Sequence, residues 1–158
     1  MKLKEIYRLH KPESFGSLEI IQRLPKECRR QCDTLELQLE AIRGVMDLDR
    51  IDMREEFVIL LLTDEKELIV AKSLYKGTKN EVQFDRAYII QLAAVASAYY
   101  VVTAHNHPTG FRQPSAADID TAVSLAHAFG FCGFELLDSI VISSKGDFSM
   151  VKNGLIRV

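Results

Sequence analysis

From residue 57 onward, apolar runs and polar breaks alternate at a spacing that specifies the elements of the chain. "FVILLLT" (57–63) is a continuous apolar run of strand length, "DEKE" (64–67) is a polar break, and "LIVAKSLY" (68–75) is a second apolar stretch. Together they predict a hairpin that ends at Gly77 and whose first strand is buried on both faces. "RAYIIQLAAVASA" (86–98) is apolar nearly all round, which predicts a buried helix, and its alanines let it lie close against a sheet. "YYVVTA" (99–104) is β-branched and aromatic and predicts a central strand running directly into His105. The stretch 115–130 places Ile119, Ala122, Val123 and Ala126 on one helical stripe and closes on Gly130, the residue preferred just past a helix. "ELLDSIVIS" (135–143), "SKGD" (144–147) and "FSMV" (148–151) then read as strand, turn and short partner strand.

The order helix, hairpin, helix, strand, helix, hairpin is that of an α/β sandwich around a mixed sheet, not of a regular βαβ repeat. Residues 1–52 are richer in charge and poorer in strand signals. Within them, 33–49 sets Leu35, Leu39, Ile42 and Met46 at helical spacing. The expectation is a mostly helical extension, 1–52, packed on a core domain, 53–158. Neither an internal repeat nor a low-complexity tract interrupts this pattern.

Bulk properties narrow the class without naming it. A length of 158 residues with 47% hydrophobic and 27% charged residues suits one soluble domain with a real core. The net charge of −2 and a pI of about 6.1 lack the basic footprint of a dedicated nucleic-acid binder. Three cysteines, Cys28, Cys32 and Cys132, form no disulfide framework and fit a reducing compartment. The charged N-terminus has no signal-peptide core, and no apolar window reaches membrane-spanning length. A cytoplasmic protein is expected.

The chemistry concentrates in "VVTAHNHPTGFRQPSAADID" (101–120). In an extended strand His105 and His107 point to one face and Asn106 to the other. Two imidazoles at that spacing can lean toward one ion, with Pro108 halting the strand so that the pair lies at an open end. Ser115 starts the next helix and puts Asp118 in its first turn, where a carboxylate could join them. Two histidines and one acid leave a fourth position for water, the pattern of catalytic rather than structural zinc. Ser115 would stand near enough to donate a hydrogen bond to an oxyanion. An ordinary alternative uses the same letters: S-x-x-D is a capping-box variant, with Asp118 answering the positive helix end. On spacing alone the two readings are evenly balanced.

The run H-x-H-x7-S-x-x-D, formed by His105, His107, Ser115 and Asp118, matches the JAMM (MPN-plus) metalloprotease motif position by position. With "EEFVILLLTDEKELIVAKSLYKGT" before it and "LLDSIVIS" and "FSM" after it, residues 54–157 resemble the RadC family of bacterial JAMM-fold proteins. That resemblance implies a cytidine deaminase-like α/β sandwich carrying one zinc ion (Zn2+), held by His105, His107 and Asp118. It further implies a zinc-dependent hydrolase of peptidase or isopeptidase type, acting on a peptide or protein substrate, with Ser115 stabilising the tetrahedral intermediate. An upstream glutamate would be the general base. Glu55 and Glu56 both stand where the family places it, alternation allows only one to face the metal, and the family pattern favours Glu55.

Two departures bear on function. Longer RadC proteins carry an N-terminal helix-hairpin-helix DNA-binding region, and residues 1–52 show no such glycine-containing hairpins. The turn "FRQP" is more apolar and basic than the family's usual acidic turn. An accessory role in DNA repair, suggested by the family label, and a non-catalytic zinc-binding interaction module are the alternatives to an enzyme. Exposed sheet edges also make a homodimer an expectation. The spacing of Cys28 and Cys32 is weak support for a metal. His127 reads as a helix-surface or packing residue, His10 belongs to no pattern, and Phe111 and Arg112 either rim the site or cover the turn.

Overall fold

The first strand, β1 (Glu56–Leu62), feeds two cores at once, because its pleat sends alternate side chains to opposite faces. Phe57, Ile59 and Leu61 enter one apolar cluster, and Val58, Leu60 and Leu62 enter the other. All seven residues of the strand are buried, as the unbroken apolar run predicts. The structure is a computed structural model, and it describes residues 23–77 and 85–157.

Among the described residues, five strands form one mixed sheet in the order β2–β1–β3–β4–β5, built with β2 (Leu68–Lys76), β3 (Tyr100–Asn106), β4 (Glu135–Ile142) and β5 (Phe148–Ser149). β1 pairs antiparallel with β2 and β3, β3 runs parallel to β4, and β5 returns antiparallel on β4. Helix α1 (Leu35–Val45) covers one face through Ala41 and Ile42. Helices α2 (Arg86–Val95) and α3 (Ala116–Phe131) supply the opposite core through Ile89, Leu92, Ala93, Ala122, Leu125 and Phe129. This is the mixed α/β sandwich that the element order and the family resemblance imply.

Several details differ from the reading of the sequence. The helix expected to be buried, α2, is half-exposed: Ile89, Leu92, Ala93 and Ala96 face the core, while Val95 is 63% exposed. Alanine carries too little apolar surface to force either face inward, so hydrophobicity around the helix did not reveal which side is wet. The α3 stripe is also rotated. Ala122, Leu125 and Phe129 are buried, whereas Val123 faces out. Gly130 does not end the helix, which runs through Phe131. The terminator is Gly133, at φ +80°, with the Phe134 N–H returning to the Phe129 carbonyl at 2.9 Å in the manner of a Schellman stop.

Of the N-terminal region, residues 1–22 lie outside the described residues. Residues 24–32 run beside β2 as an irregular segment with one 3-10 turn at Lys26–Cys28 rather than as the expected longer helix. The Leu24 N–H donates to Ile69 O at 2.7 Å, the Leu68 N–H to Arg30 O at 2.9 Å, and the Cys32 N–H to Lys66 O at 2.9 Å. They cover part of the sheet edge that β2 would otherwise present. Among the described residues no helix is long and apolar enough to cross a membrane.

Candidate metal centre

Two elements converge to build the site: the exit of β3 and the start of α3. The extended course of β3 continues one residue beyond Asn106, because the His107 N–H donates to the Ile142 carbonyl of β4 at 3.0 Å. His105 and His107 therefore keep the two-residue alternation and share the α3 face. Pro108 and Gly110 then reverse the chain, with the Gly110 N–H returning to His107 O at 3.0 Å. Gly110 has φ +74°, and an added Cβ would meet Ser144 Oγ at 3.2 Å, so both conformation and space call for glycine. Ser115 caps α3 and brings Asp118, in the first turn, over the two imidazoles.

The three side chains meet closely. His105 Nε2 and His107 Nε2 are 3.0 Å apart. Asp118 Oδ1 lies 3.2 Å from His105 Nε2, and Oδ2 lies 3.3 Å from His107 Nε2. Donors held tetrahedrally around zinc at about 2.0–2.1 Å stand about 3.3 Å from one another. The spacing and the nitrogen–nitrogen–oxygen donor set thus fit such an ion. Among the described residues this is the one group of three or more His, Cys, Asp or Glu side chains whose ligand atoms converge, all within 4.8 Å. Cys28 and Cys32 join no such group, and their thiols are free. His127 is exposed on α3, and burial pushes the Cys32 thiol up to about 12.

Hydrogen bonding sets the imidazole of His107 for ligation. Its Nδ1 lies 2.8 Å from the Phe111 carbonyl oxygen, which can only accept, so that nitrogen carries the proton and Nε2 points its lone pair at Asp118 when the ring is neutral. The hydrogen bond to Asp118 raises the pKa of His107 against the opposing effect of burial, with further help from the Phe111 carbonyl and the charges of Asp118 and Glu55. Burial pushes Asp118 up, yet the hydrogen bonds from His105 and His107 and the nearby Ser115 outweigh it, and the carboxyl sits well below its usual range. The cluster is an acceptor-rich pocket in which an added positive charge is favoured.

The capping reading of Ser115 is present in full. Its Oγ accepts from the Asp118 N–H at 3.2 Å and donates to Asp118 Oδ2 at 2.7 Å, while its own N–H reaches the same oxygen at 2.7 Å. The capping box is complete, and it also orients the carboxylate that faces the histidines.

The glutamates separate by strand parity. Glu55 lines a cavity of about 530 Å³ together with His105, His107, Ser115 and Asp118. Glu56 turns to the α1 face, is 3% exposed, and accepts the Asp47 N–H on Oε2 at 2.9 Å. The side chain of Phe111 stands at the rim, 64% exposed, while Arg112 runs beside Gly146 of the β4–β5 turn.

Sequence reasoning missed three polar residues here. Thr103 and Ser139 form part of the cavity wall, and Thr103 Oγ1 donates to Ser139 Oγ at 3.1 Å across the parallel β3–β4 pair. Period-two alternation from His105 would have pointed to Thr103. Ser139 depends on the β3–β4 register, which the sequence does not print. Asn106 was legible only as a side chain pointing away from the histidines.

Comparison with known proteins finds relatives along most of the chain. A family model described as the RadC-like JAB domain matches residues 34–155. The chain is 30% identical over 145 residues to UPF0758 protein YeeS of Escherichia coli, an overlap that covers 89% of this chain and 98% of that one. It is 37% identical over 116 residues to a UPF0758 protein of Rubrobacter xylanophilus, covering 73% of this chain and 49% of the relative. A third, from Staphylococcus haemolyticus, is 34% identical over 101 residues, covering 64% and 44%. The chain spans about half the length of the last two relatives and nearly all of the first.

Proposed function

The chain belongs to the RadC-like JAB domain family, and from that premise we propose that it is a zinc-dependent hydrolase of amide bonds, of peptidase or isopeptidase type. One observation carries the reading: two imidazole nitrogens and a carboxylate converge at 3.0–3.3 Å in a cavity that Glu55 also lines. His105, His107 and Asp118 would hold the ion. Zinc bound there supplies a Lewis acid that polarises a carbonyl and acidifies a water.

The protein's own groups do the rest. Glu55, half-buried in the cavity wall, takes the proton of the attacking water and passes it to the departing amine. Ser115 donates to the developing oxyanion, which requires its hydroxyl proton to turn from Asp118 Oδ2 into the cavity. Phe57 and Leu125 give the cavity apolar wall and limit water around the reacting bond. Phe111 and Gln113 stand where a peptide would enter.

Metal analysis tests the first step. After reconstitution the wild type is expected to hold one zinc per chain, and His105→Ala and Asp118→Ala to lose affinity by more than about a hundredfold, beyond the usual effect of an outer-shell partner. A wild type that binds no stoichiometric zinc defeats the reading.

A further inference from the structure

We infer that Asn106 is the positioning residue for Glu55, an inference that rests on the reading of Glu55 as proton carrier. Asn106 stands between the two histidines on β3, and its side chain points through the sheet to the opposite face, where it is 1% exposed. Its Oδ1 accepts the Glu56 N–H at 2.7 Å, and its Nδ2 donates to the carbonyls of Ile51 at 2.6 Å and Arg54 at 2.9 Å. Both amide donors and the acceptor are thus committed to residues 51–56, the segment that leads into β1 and carries the glutamate.

The backbone ladder explains why a side chain is needed. Phe57 and His105 form the last β1–β3 pair. One residue earlier, the Glu56 N–H goes to the Asn106 side chain instead of a β3 carbonyl, so the strands part at that level and the asparagine bridges the gap. The same peptide unit is held from its other edge, where the Glu55 carbonyl accepts the Gly77 N–H at 2.9 Å. With its C=O held by Gly77, the residue after β2, and its N–H held by Asn106, the plane of the Glu55–Glu56 peptide is fixed from both edges. Glu55 is therefore sent to the cavity and Glu56 to Asp47. A single strand position between two metal-facing histidines sets the opposite wall of the same site.

Cobalt(II) in place of zinc is the probe, and the pH midpoint of its visible bands is the readout, because Glu55 faces the same cavity as the three donors. Glu55→Gln is expected to displace that midpoint. Asn106→Ser, too short to span the gap, is expected to displace it in the same direction and to add nothing in the Glu55→Gln background, since one residue acts through the other. Cobalt affinity should stay within about tenfold, the lower bound for an outer-shell partner. A wild-type midpoint in Asn106→Ser, or a full additional shift in the double variant, overturns the inference.

Should the wild type take up no cobalt, the metal reading fails on its own and amide exchange in the metal-free protein decides the positioning. The Glu56 N–H is then expected to exchange on the order of tenfold faster in Asn106→Ser, with the Val102 and Ile140 amides unchanged. Unchanged exchange at Glu56 overturns it. If Asn106→Ser does not fold, Asn106→Thr, equally too short to span the gap and better suited to a strand, replaces it in both readouts with the same expected and overturning outcomes.

Discussion

At the level where β1 begins, the two faces of the sheet hold opposite kinds of polarity. On the α3 side, Glu55, His105, His107 and Asp118 gather around a cavity and leave acceptor atoms directed into it. On the α1 side, Glu56, Asp47, Arg54 and Asn106 form a linked set in which Glu56 and Asn106 side chains bond backbone groups of the preceding segment and Arg54 pairs with Asp47. Adjacent residues in the chain, 55 and 56 or 105 and 106, belong to different sets. The pleat therefore lets the candidate site and its frame interleave in sequence on opposite faces of the sheet.

The largest expected effect breaks this comparison at the two glutamates. Glu55→Gln should lower amide hydrolysis about 10²–10⁴-fold, the usual range for a lost general base, with an unchanged melting temperature. Glu56→Gln keeps an acceptor for the Asp47 N–H and should leave the rate close to wild type. Steady-state kinetics on labelled protein substrates would show the pattern, and a reversed one would reassign the base.

Next in size are matched core truncations, one on each face. Ile42→Ala, on α1, and Leu125→Ala, on α3, each remove a fully buried side chain and should cost about 2–5 kcal/mol in denaturant unfolding. Only Leu125 lines the cavity, so only its truncation should also change substrate affinity. Equal effects of both on KM would mean that the faces are less separate than the geometry implies.

The smallest effect is a pH dependence confined to the α3 side. In the metal-free protein the raised pKa of His107 contributes stability that is complete below its unfolded value, near 6.5, and fades as pH climbs through the higher folded value. Asp118 works oppositely. Its depressed pKa contributes stability that is present above the unfolded value, near 3.8, and is lost as pH falls. Both contributions coexist between those two limits. Zinc must displace the His107 proton, so affinity measured by chelator competition should weaken in acid by up to about tenfold per pH unit below the folded pKa of His107. A flat profile would remove His107 from the ligand set.

Much of this was legible in the sequence for a physical reason. Period-two alternation ties His105 to His107, Pro108 and Gly110 announce the turn, and a Ser-x-x-Asp start orients a first-turn carboxylate. The doubly buried β1 was equally plain from an unbroken apolar run. Quantities set by tertiary register were not legible. Parity allows one of Glu55 and Glu56 to face the histidines, but the choice depends on Phe57 pairing with His105. The end of α3 was misplaced because Gly130 and Gly133 are chemically alike, and only the fold decides which adopts a positive φ. The wet side of α2 was hidden because its alanines suit either environment. Asn106 escaped because its work is done fifty residues away in the chain.

One feature of the rim turn bears on how such a site can diversify. His107 is oriented by the backbone oxygen of Phe111, not by its ring, and the tight reversal needs glycine at 110 but makes no such demand at 111. The identity of the exposed side chain at 111 is therefore uncoupled from the tautomer of the histidine beside it. Replacements there can reshape the cavity rim while the donor geometry stays as it is. The turn thus divides into a position fixed by backbone conformation and a neighbouring one whose side chain the geometry leaves unconstrained.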